Sequence, residues 1–224
     1  MSLIKVFVLA WDDSQFIHIP NDGHIIKVNL NKLKLVNNLP NENQQFSENR
    51  IFLSGLVDEY INGSDSPEFV GFVTWRWFDK FSMKKSIIEW KYGAWKSDVV
   101  YVVARIPDWY NESLTHHTGM EKYMKEMSLL TGYKLGLRNG FYFNNFVCAT
   151  VFYKEFQHFL RTVITHFHAK YGYEMDYRVI PEHESRRAAC LYERIAPLYF
   201  SNKCEGKKVG AIYNKPKLKM QNLI

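Results

Sequence analysis

The stretch DVVYVVA, residues 98–104, is almost unbroken in apolar and β-branched side chains. A strand of this composition is typically buried on both faces, as in a parallel sheet that is covered by helices. Four more segments are predicted as strands on the same grounds. They are LIKVFVLA at residues 3–10, the short run from Ile25 to Val28, FVGFVT at residues 69–74, and the run from Phe146 to Phe152.

Apolar residues at helical spacing separate these strands. The strongest amphipathic pattern runs from Phe156 to Phe167, and Gly172 closes it. Three other helices are predicted: one from an N-cap at Ser47 to Ile61, one from Met120 to Leu130, and one from about Ser185 through Tyr199. Strands that alternate with helices indicate an α/β fold, here a single domain with a mostly parallel central sheet flanked by helices.

Most of the net charge of +6 lies at the end of the 224-residue chain. After residue 202 the lysines are Lys203, Lys207, Lys208, Lys215, Lys217 and Lys219, against one acid, Glu205. We therefore predict an α/β domain over residues 1–202 and a basic C-terminal tail over residues 203–224. The nearly neutral domain excludes a broad nucleic-acid-binding face. The tail is predicted either to contact an anionic membrane surface or a diphosphate, or to be solvated.

Several features predict a cytoplasmic protein, with at most peripheral membrane association through the lysine tail. No apolar run approaches the roughly 20 residues that span a bilayer, and residues 3–10 are typical of a strand and not of a signal peptide. Three cysteines without a CxxC pair are expected to be free thiols in a reducing compartment. Phosphate-binding loops, serine elbows and zinc-protease motifs are missing from the sequence, and the histidine spacings do not converge on a metal.

Three segments together resemble a known family. The first is QFSENRIF at residues 45–52, a polar helix start that carries Glu48, and the second is FVGFVTWRWF at residues 69–78. The third combines Asn144 and Asn145 before Phe146 with Arg187 and LYERI at residues 191–195. This order resembles the small glycosyltransferase-like domains that are encoded with capsule and lipopolysaccharide genes.

The resemblance covers about residues 45–82 and 140–202. It implies a glycosyltransferase A-type fold and a nucleotide-sugar donor, bound outside the carboxyl ends of the parallel strands. The expected activity is transfer of the sugar to a glycan or glycoconjugate acceptor. The alternative is a glycan-binding or assembly module that keeps this fold without catalysis.

One departure from the A-type pattern concerns the metal. Many such enzymes place an Asp-x-Asp motif after a central strand, where it holds a divalent ion against the diphosphate. The corresponding stretch here, from Val73 to Arg76, has no carboxylate pair. No metal ligand is therefore predicted, and two explanations stay open: Mn²⁺ or Mg²⁺ is held differently, or cations of the protein replace it.

Sugar transfer requires charge stabilisation and a base. Arg76 is the first candidate for stabilising the diphosphate, followed by Arg187 and Arg194, because a guanidinium can hold two phosphate oxygens. For the base, Glu193 is the first candidate and Glu48 the second. The alternatives are surface ion pairs, such as one between Arg76 and Asp79 or one between Glu193 and a nearby arginine.

The donor and the sugar have their own candidates. Ala10, Trp11 and Asp12 end the first strand, where Trp11 would stack on the base and Asp12 would accept ribose hydroxyls. Asn144 and Asn145 would bind sugar hydroxyls, and Trp75 would stack on a sugar face. Each of these residues could instead serve packing or a turn.

Overall fold

The apolar runs of the sequence form one central sheet in the computed structural model. The structure describes residues 4–35, 46–76, 100–104, 106, 108–138, 141, 145–179, 181–205 and 210–213, with only the backbone for 100–104, 182–183 and 210–213. Within these residues six strands follow the order β2-β1-β3-β5-β4-β6. They are β1 (Ile4–Ala10), β2 (Ile25–Asn29), β3 (Phe69–Thr74), β4 (Val100–Ala104), β5 (Phe146–Ala149) and β6 (Gly210–Tyr213).

The strand directions confirm a mostly parallel sheet. Strand β1 runs parallel to both β2 and β3, and β4 runs parallel to β6, whereas β5 runs antiparallel to its neighbours β3 and β4. The carboxyl ends of β1, β2 and β3 therefore lie at the same side of the sheet as the amino end of β5. We call this side the carboxyl edge.

Both faces of the sheet are buried. Residues of β1 alternate between them, as a strand requires: Phe7 and Leu9 belong to the large core under the helices, and Val6 and Val8 to a smaller core on the other face. The α/β fold with helices against a central sheet is therefore confirmed.

Seven α-helices lie in the described residues. They are α1 (Arg50–Leu53), α2 (Leu56–Ile61), α3 (Trp109–His116), α4 (Glu121–Thr131), α5 (Thr150–Tyr171), α6 (Arg187–Tyr192) and α7 (Ile195–Lys203). Helix α5 buries the predicted apolar stripe except for Phe159, which is partly exposed, and it stops before Gly172, as expected. The strand predicted to reach Phe152 ends instead at Ala149, because Thr150 turns the chain by hydrogen bonds to Glu68 and Pro67 and starts α5.

The helix predicted from Ser47 to Ile61 is divided in the structure. A 3-10 turn (Ser47–Asn49) precedes α1, and Ser54 separates α1 from α2 because its extended backbone forms a bridge with Leu35. Ser47 is not the N-cap that the sequence predicts. No cap hydrogen bond from a side chain occurs at this turn, and the Ser47 hydroxyl has other partners that are described below.

The last predicted helix is also divided. A 3-10 segment (Pro181–Arg186) leads into α6, and Glu193 and Arg194 form the turn before α7. Pro197 explains the break. It has no amide hydrogen to donate to the Glu193 carbonyl and its ring would clash with that carbonyl, which disfavours a continuous helix, while a proline in the first turn of α7 is tolerated.

The structure contains two elements that the sequence did not predict. Helix α3 has only a weak apolar stripe, and β6 lies within the segment that was predicted as a basic tail. Because β6 pairs with β4 and Lys203 ends α7, part of that segment belongs to the sheet and the helical layer. The other five tail lysines lie outside the described residues. In the part of the chain that the structure describes, no helix has the length and apolarity to cross a membrane.

Candidate functional site

Six of the sequence-predicted site residues lie at the carboxyl edge. Trp11 and Asp12 follow β1, and Trp75 and Arg76 follow the neighbouring strand β3, in a register that pairs Leu9 with Thr74. Asn145 immediately precedes β5, and its Oδ1 accepts a hydrogen bond from the Thr74 amide at 2.9 Å. Ala10, the last residue of β1, is buried and supplies packing at this edge.

The loops after β1 and β2 are bound to each other. Asp13 accepts hydrogen bonds from Asn29 at 2.8 Å and from Lys32 at 2.5 Å, and Asn31 donates to the Trp11 carbonyl at 2.7 Å. Trp11 packs partly buried against the core. These hydrogen bonds therefore fix the backbone beside Trp11 against the end of β2.

Asp12 has a structural role that the sequence analysis did not assign. Its carboxylate accepts the Ser14 amide at 2.8 Å and caps the 3-10 helix Asp13–Phe16. The hydrogen bond from Ser14 lowers the pKa of Asp12 below its usual range. One carboxylate oxygen is thus engaged in the cap, although the side chain is exposed.

The residues after β3 differ in exposure. Arg76 is exposed, and its guanidinium lies over the ring of Trp75, 5.8 Å from the centroid. Asn145 is 1% exposed, and within the described residues its Nδ2 has no hydrogen-bond partner. Asn144, and the alternative partner Asp79, lie outside the described residues.

A second group of charged side chains surrounds Glu193. We call Ser47, Glu48, Arg186, Glu193 and Arg194 the Glu193 cluster. The buried Ser47 hydroxyl donates to Glu48 at 2.5 Å and accepts from Arg186 at 2.8 Å. Ser47 has a φ of 47°, in the left-handed region that non-glycine residues rarely adopt.

Glu193 lies in the turn between α6 and α7, and only 12% of its side chain is exposed. Burial raises the pKa of this carboxyl to about 7; Arg194 and Arg186 oppose the rise, and Glu48 adds to it. Arg194, with 6% of its side chain exposed, donates from Nη1 to Glu193 at 3.1 Å. The result is a carboxyl group that changes its charge near neutral pH.

Arg194 is held from several sides. Its Nη1 also donates to the Cys190 carbonyl at 2.6 Å, and its Nε donates to the Ser113 hydroxyl on α3 at 3.3 Å. The guanidinium is therefore part of the protein interior and fixes the position of Glu193. A position on the diphosphate, as predicted for this arginine, conflicts with these contacts.

Arg50 connects the Glu193 cluster to the carboxyl edge. This buried guanidinium donates to the carbonyls of Leu30 and Leu33, both at 2.9 Å, just beyond the end of β2. Because Arg50 is two residues from Glu48, the cluster lies beside the carboxyl end of β2. Glu193 and Glu48, the two predicted base candidates, are thus brought together.

Two predicted arginines lie apart from this cluster. Arg187 donates to the Met175 carbonyl at 3.0 Å and to Glu184 at 2.5 Å. No hydrogen bond or ion pair of the described residues joins Arg76 to Glu193. Arg186 was not predicted as a site residue. The sequence indicates it only by its position beside Arg187 at the start of the last helix.

The described residues contain no group of three or more His, Cys, Asp and Glu side chains that could hold a metal ion. In particular, an arginine and not a carboxylate follows β3. The three cysteines, Cys148, Cys190 and Cys204, are free, as predicted, and all three are buried.

Comparison with known proteins bears on the fold. A solved apo structure of the bifunctional glycosyltransferase WbbM superimposes with a TM-score of 0.57 at 12% sequence identity, over 94% of this chain and 44% of that one. The chain has a glycosyltransferase-like fold. It spans less than half the length of WbbM, and identity this low carries the fold and not the activity. No protein-family model and no curated protein matches the chain.

Proposed function

We propose that this chain is a glycosyltransferase domain that moves a sugar from a nucleotide-sugar donor to a glycan or glycoconjugate acceptor. The observation that carries the proposal is Glu193, a buried carboxyl with a pKa of about 7, beside the carboxyl edge of a glycosyltransferase-like fold. Ligands of open α/β sheets bind at this edge. WbbM, which shares this fold, is a bifunctional glycosyltransferase, and this supports the assignment.

Glu193 is the proposed general base of an inverting transfer. The acceptor hydroxyl oxygen bonds to the anomeric carbon while its proton passes to the Glu193 carboxylate. The bond between the anomeric carbon and the diphosphate oxygen breaks, and its electron pair leaves with the nucleoside diphosphate. A base works best when its pKa lies near the working pH, and burial gives Glu193 this property.

Arg76 and Arg186 are the proposed cations for the developing charge on the diphosphate. Arg76 is exposed at the end of β3, where many A-type enzymes hold a metal, and its guanidinium can hold two phosphate oxygens. Arg186 is only partly buried, and its hydrogen bond to Ser47 engages one of its two terminal nitrogens. Arg194 acts through Glu193 as a positioning residue, and Glu48 acts by raising the pKa of Glu193.

Trp11, Trp75 and Asn145 are the proposed contacts for donor and sugar. The two indole rings follow adjacent strands, so a base and a sugar could each stack on one of them. The Asn145 amide is oriented by its bond to Thr74, and its Nδ2, which is buried and has no partner within the described residues, is the proposed donor to a sugar hydroxyl. Asp12 would reach the ribose with the oxygen that does not cap the 3-10 helix.

The test is turnover of uridine and guanosine diphosphate sugars, each with and without manganese, by the wild type, by Glu193→Gln and by the exposed control Glu174→Gln. We expect Glu193→Gln to lower the rate by roughly 10²- to 10⁴-fold and the control to leave it unchanged. The manganese arm decides between a metal and the arginines alone.

Two outcomes contradict the proposal. If none of the donors is consumed and none raises the melting temperature, the chain is not a nucleotide-sugar transferase. If glycans bind while donors are not consumed, and Arg76→Ala leaves binding intact, the chain is the non-catalytic module of the same fold.

A further inference from the structure

A groove on the helical layer lies well away from the Glu193 cluster. It lies between the end of α4, the outer side of α5 and the end of α7, and encloses about 340 Å³. Its lining residue Lys203 ends α7, whereas Glu193 lies in the turn before α7 begins, so the groove and the cluster are at opposite ends of this helix. We call it the α5–α7 groove, and its principal lining residues are Tyr133, Glu155, His158, Phe159, Tyr199 and Lys203.

Aromatic rings form one wall of this groove. Tyr133 stacks on Phe159 with centroids 4.9 Å apart and planes 22° apart, and Phe159 contacts Tyr199 at 5.1 Å. Tyr133 and Phe159 are partly exposed. The loop that carries Tyr133 is fixed to α7, because Lys134 and Asn202 exchange two hydrogen bonds of 2.9 Å. The aromatic wall is therefore formed before any ligand arrives.

Charged groups lie next to these rings, since the Lys203 ammonium is 5.7 Å from the centroid of Tyr199. Lys203 contacts Glu155 at 2.7 Å, and the Tyr199 hydroxyl donates to the same carboxylate oxygen at 3.1 Å. Among the described residues, the other oxygen of Glu155 has no partner, and about half of this side chain is exposed (49%). The groove thus offers a free carboxylate oxygen and ammonium hydrogens beside an aromatic surface, with the exposed His158 ring close by.

We infer that the α5–α7 groove binds a pyranose ring of a neutral saccharide. The C–H face of a pyranose is apolar and packs on aromatic rings, while its hydroxyls donate to a carboxylate and accept from an ammonium group. A phosphate or nucleotide requires excess positive charge, whereas Lys203 and Glu155 neutralise each other here. A peptide helix requires a long apolar groove, and this one is short and charged on one side.

This inference does not depend on the proposed transferase activity. If that activity holds, the groove would take an acceptor saccharide at a distance from the reacting hydroxyl. If the activity fails, saccharide binding at the groove remains measurable, so the two failures are distinguishable.

The experiment is a titration of the full chain with glucose, galactose, mannose, rhamnose and N-acetylglucosamine, followed by NMR of the Tyr133 and His158 ring signals. The open-chain polyol sorbitol is the ligand control, since it has hydroxyls without a rigid ring face. At least one pyranose should shift both signals, and sorbitol should not. Glu155→Gln should weaken binding by about tenfold, because it removes a charged acceptor, while Lys154→Ala, on the same helix outside the groove, should leave it unchanged.

Tyr133→Ala provides a second variant, with its fold checked by thermal unfolding. The His158 signal then reports binding, and loss of the shift supports the aromatic contact. The inference is overturned if no pyranose shifts either ring signal, if sorbitol shifts them equally, or if binding is unchanged in Glu155→Gln.

Discussion

Replacing Glu193 with glutamine should raise stability at alkaline pH while it removes activity. The folded-state pKa of Glu193 is about 7, against a usual value of 4.5. Because the folded pKa is raised, the favourable contribution of this group is fully present below about pH 4 and is lost as the pH rises through about 7. The difference between the two pKa values corresponds to about 3 kcal/mol of unfolding free energy.

Glutamine at position 193 does not ionise, so this pH-dependent loss should disappear. Relative to its value near pH 4, the unfolding free energy of Glu193→Gln near pH 8 should exceed that of the wild type by about 3 kcal/mol. For a domain of this size that equals a difference of roughly 6 to 12 °C in melting temperature. The hydrogen bond from Arg194 survives, since the glutamine carbonyl still accepts it.

The assay is urea unfolding of both proteins across this pH range, with the exposed Glu174→Gln as the matched control. Comparing each protein with itself near pH 4 cancels the small steric differences of the substitution. Parallel stability curves for wild type and Glu193→Gln would show that Glu193 is ionised without cost in the folded state. That result would refute both the raised pKa and the assignment of Glu193 as the base.

Three further predictions concern stability and reactivity. Gly71→Ala places a new Cβ 2.9 Å from Cγ2 of the stiff Val147 side chain and should cost about 1–3 kcal/mol in urea unfolding, whereas Gly63→Ala, with its nearest atom at 3.6 Å, should stay near neutral. Burial raises the pKa of Glu126, but hydrogen bonds from its lysine, tyrosine and histidine neighbours outweigh this and lower the pKa to about 2. Glu126→Gln should therefore lose up to about 3 kcal/mol at neutral pH, a deficit that shrinks as acid titrates the wild-type carboxylate; an equal deficit at about pH 2 would contradict this. Burial raises the pKa of Cys190 to about 12, and a thiol reagent at about pH 8 should find no reactive cysteine in the described residues until denaturant exposes them.

The sheet and its principal helix could be predicted because their signals are local. The apolar run of β1 and the stripe from Phe156 to Phe167 each indicate, from neighbouring residues alone, which side chains of that element are buried. The last helix was predicted as continuous from about Ser185 through Tyr199, although Pro197 removes an amide that a continuous helix needs. The left-handed Ser47 had no such signal, because nothing local distinguishes it from a serine N-cap.

The assembly of the site could be predicted only in part. The carboxyl-edge residues follow from strand direction, since parallel neighbours end at the same side of the sheet. The Glu193 cluster depends on contacts between distant segments: Arg186 with Ser47 across 139 positions, and Arg194 with Ser113 across 81. A single sequence gives the residue types at those positions but does not show that they are in contact. For this reason Arg186 was not predicted as a site residue, and Arg194 was predicted to bind the diphosphate.

Three departures from local preference coincide in the Glu193 cluster. Ser47 holds a left-handed backbone that costs about 1–3 kcal/mol for a non-glycine residue, Glu193 is buried at a pKa of about 7, and α6 and α7 are interrupted between them. A stability-driven sequence would have glycine at 47 and an apolar residue at 193. Each departure serves one arrangement: the backbone of Ser47 directs its hydroxyl between Glu48 and Arg186, and the helix break places Glu193 against Arg194. A catalytic site is expected to combine locally unfavourable features around one titratable carboxyl. The three departures do not occur together at the other ion pairs described here.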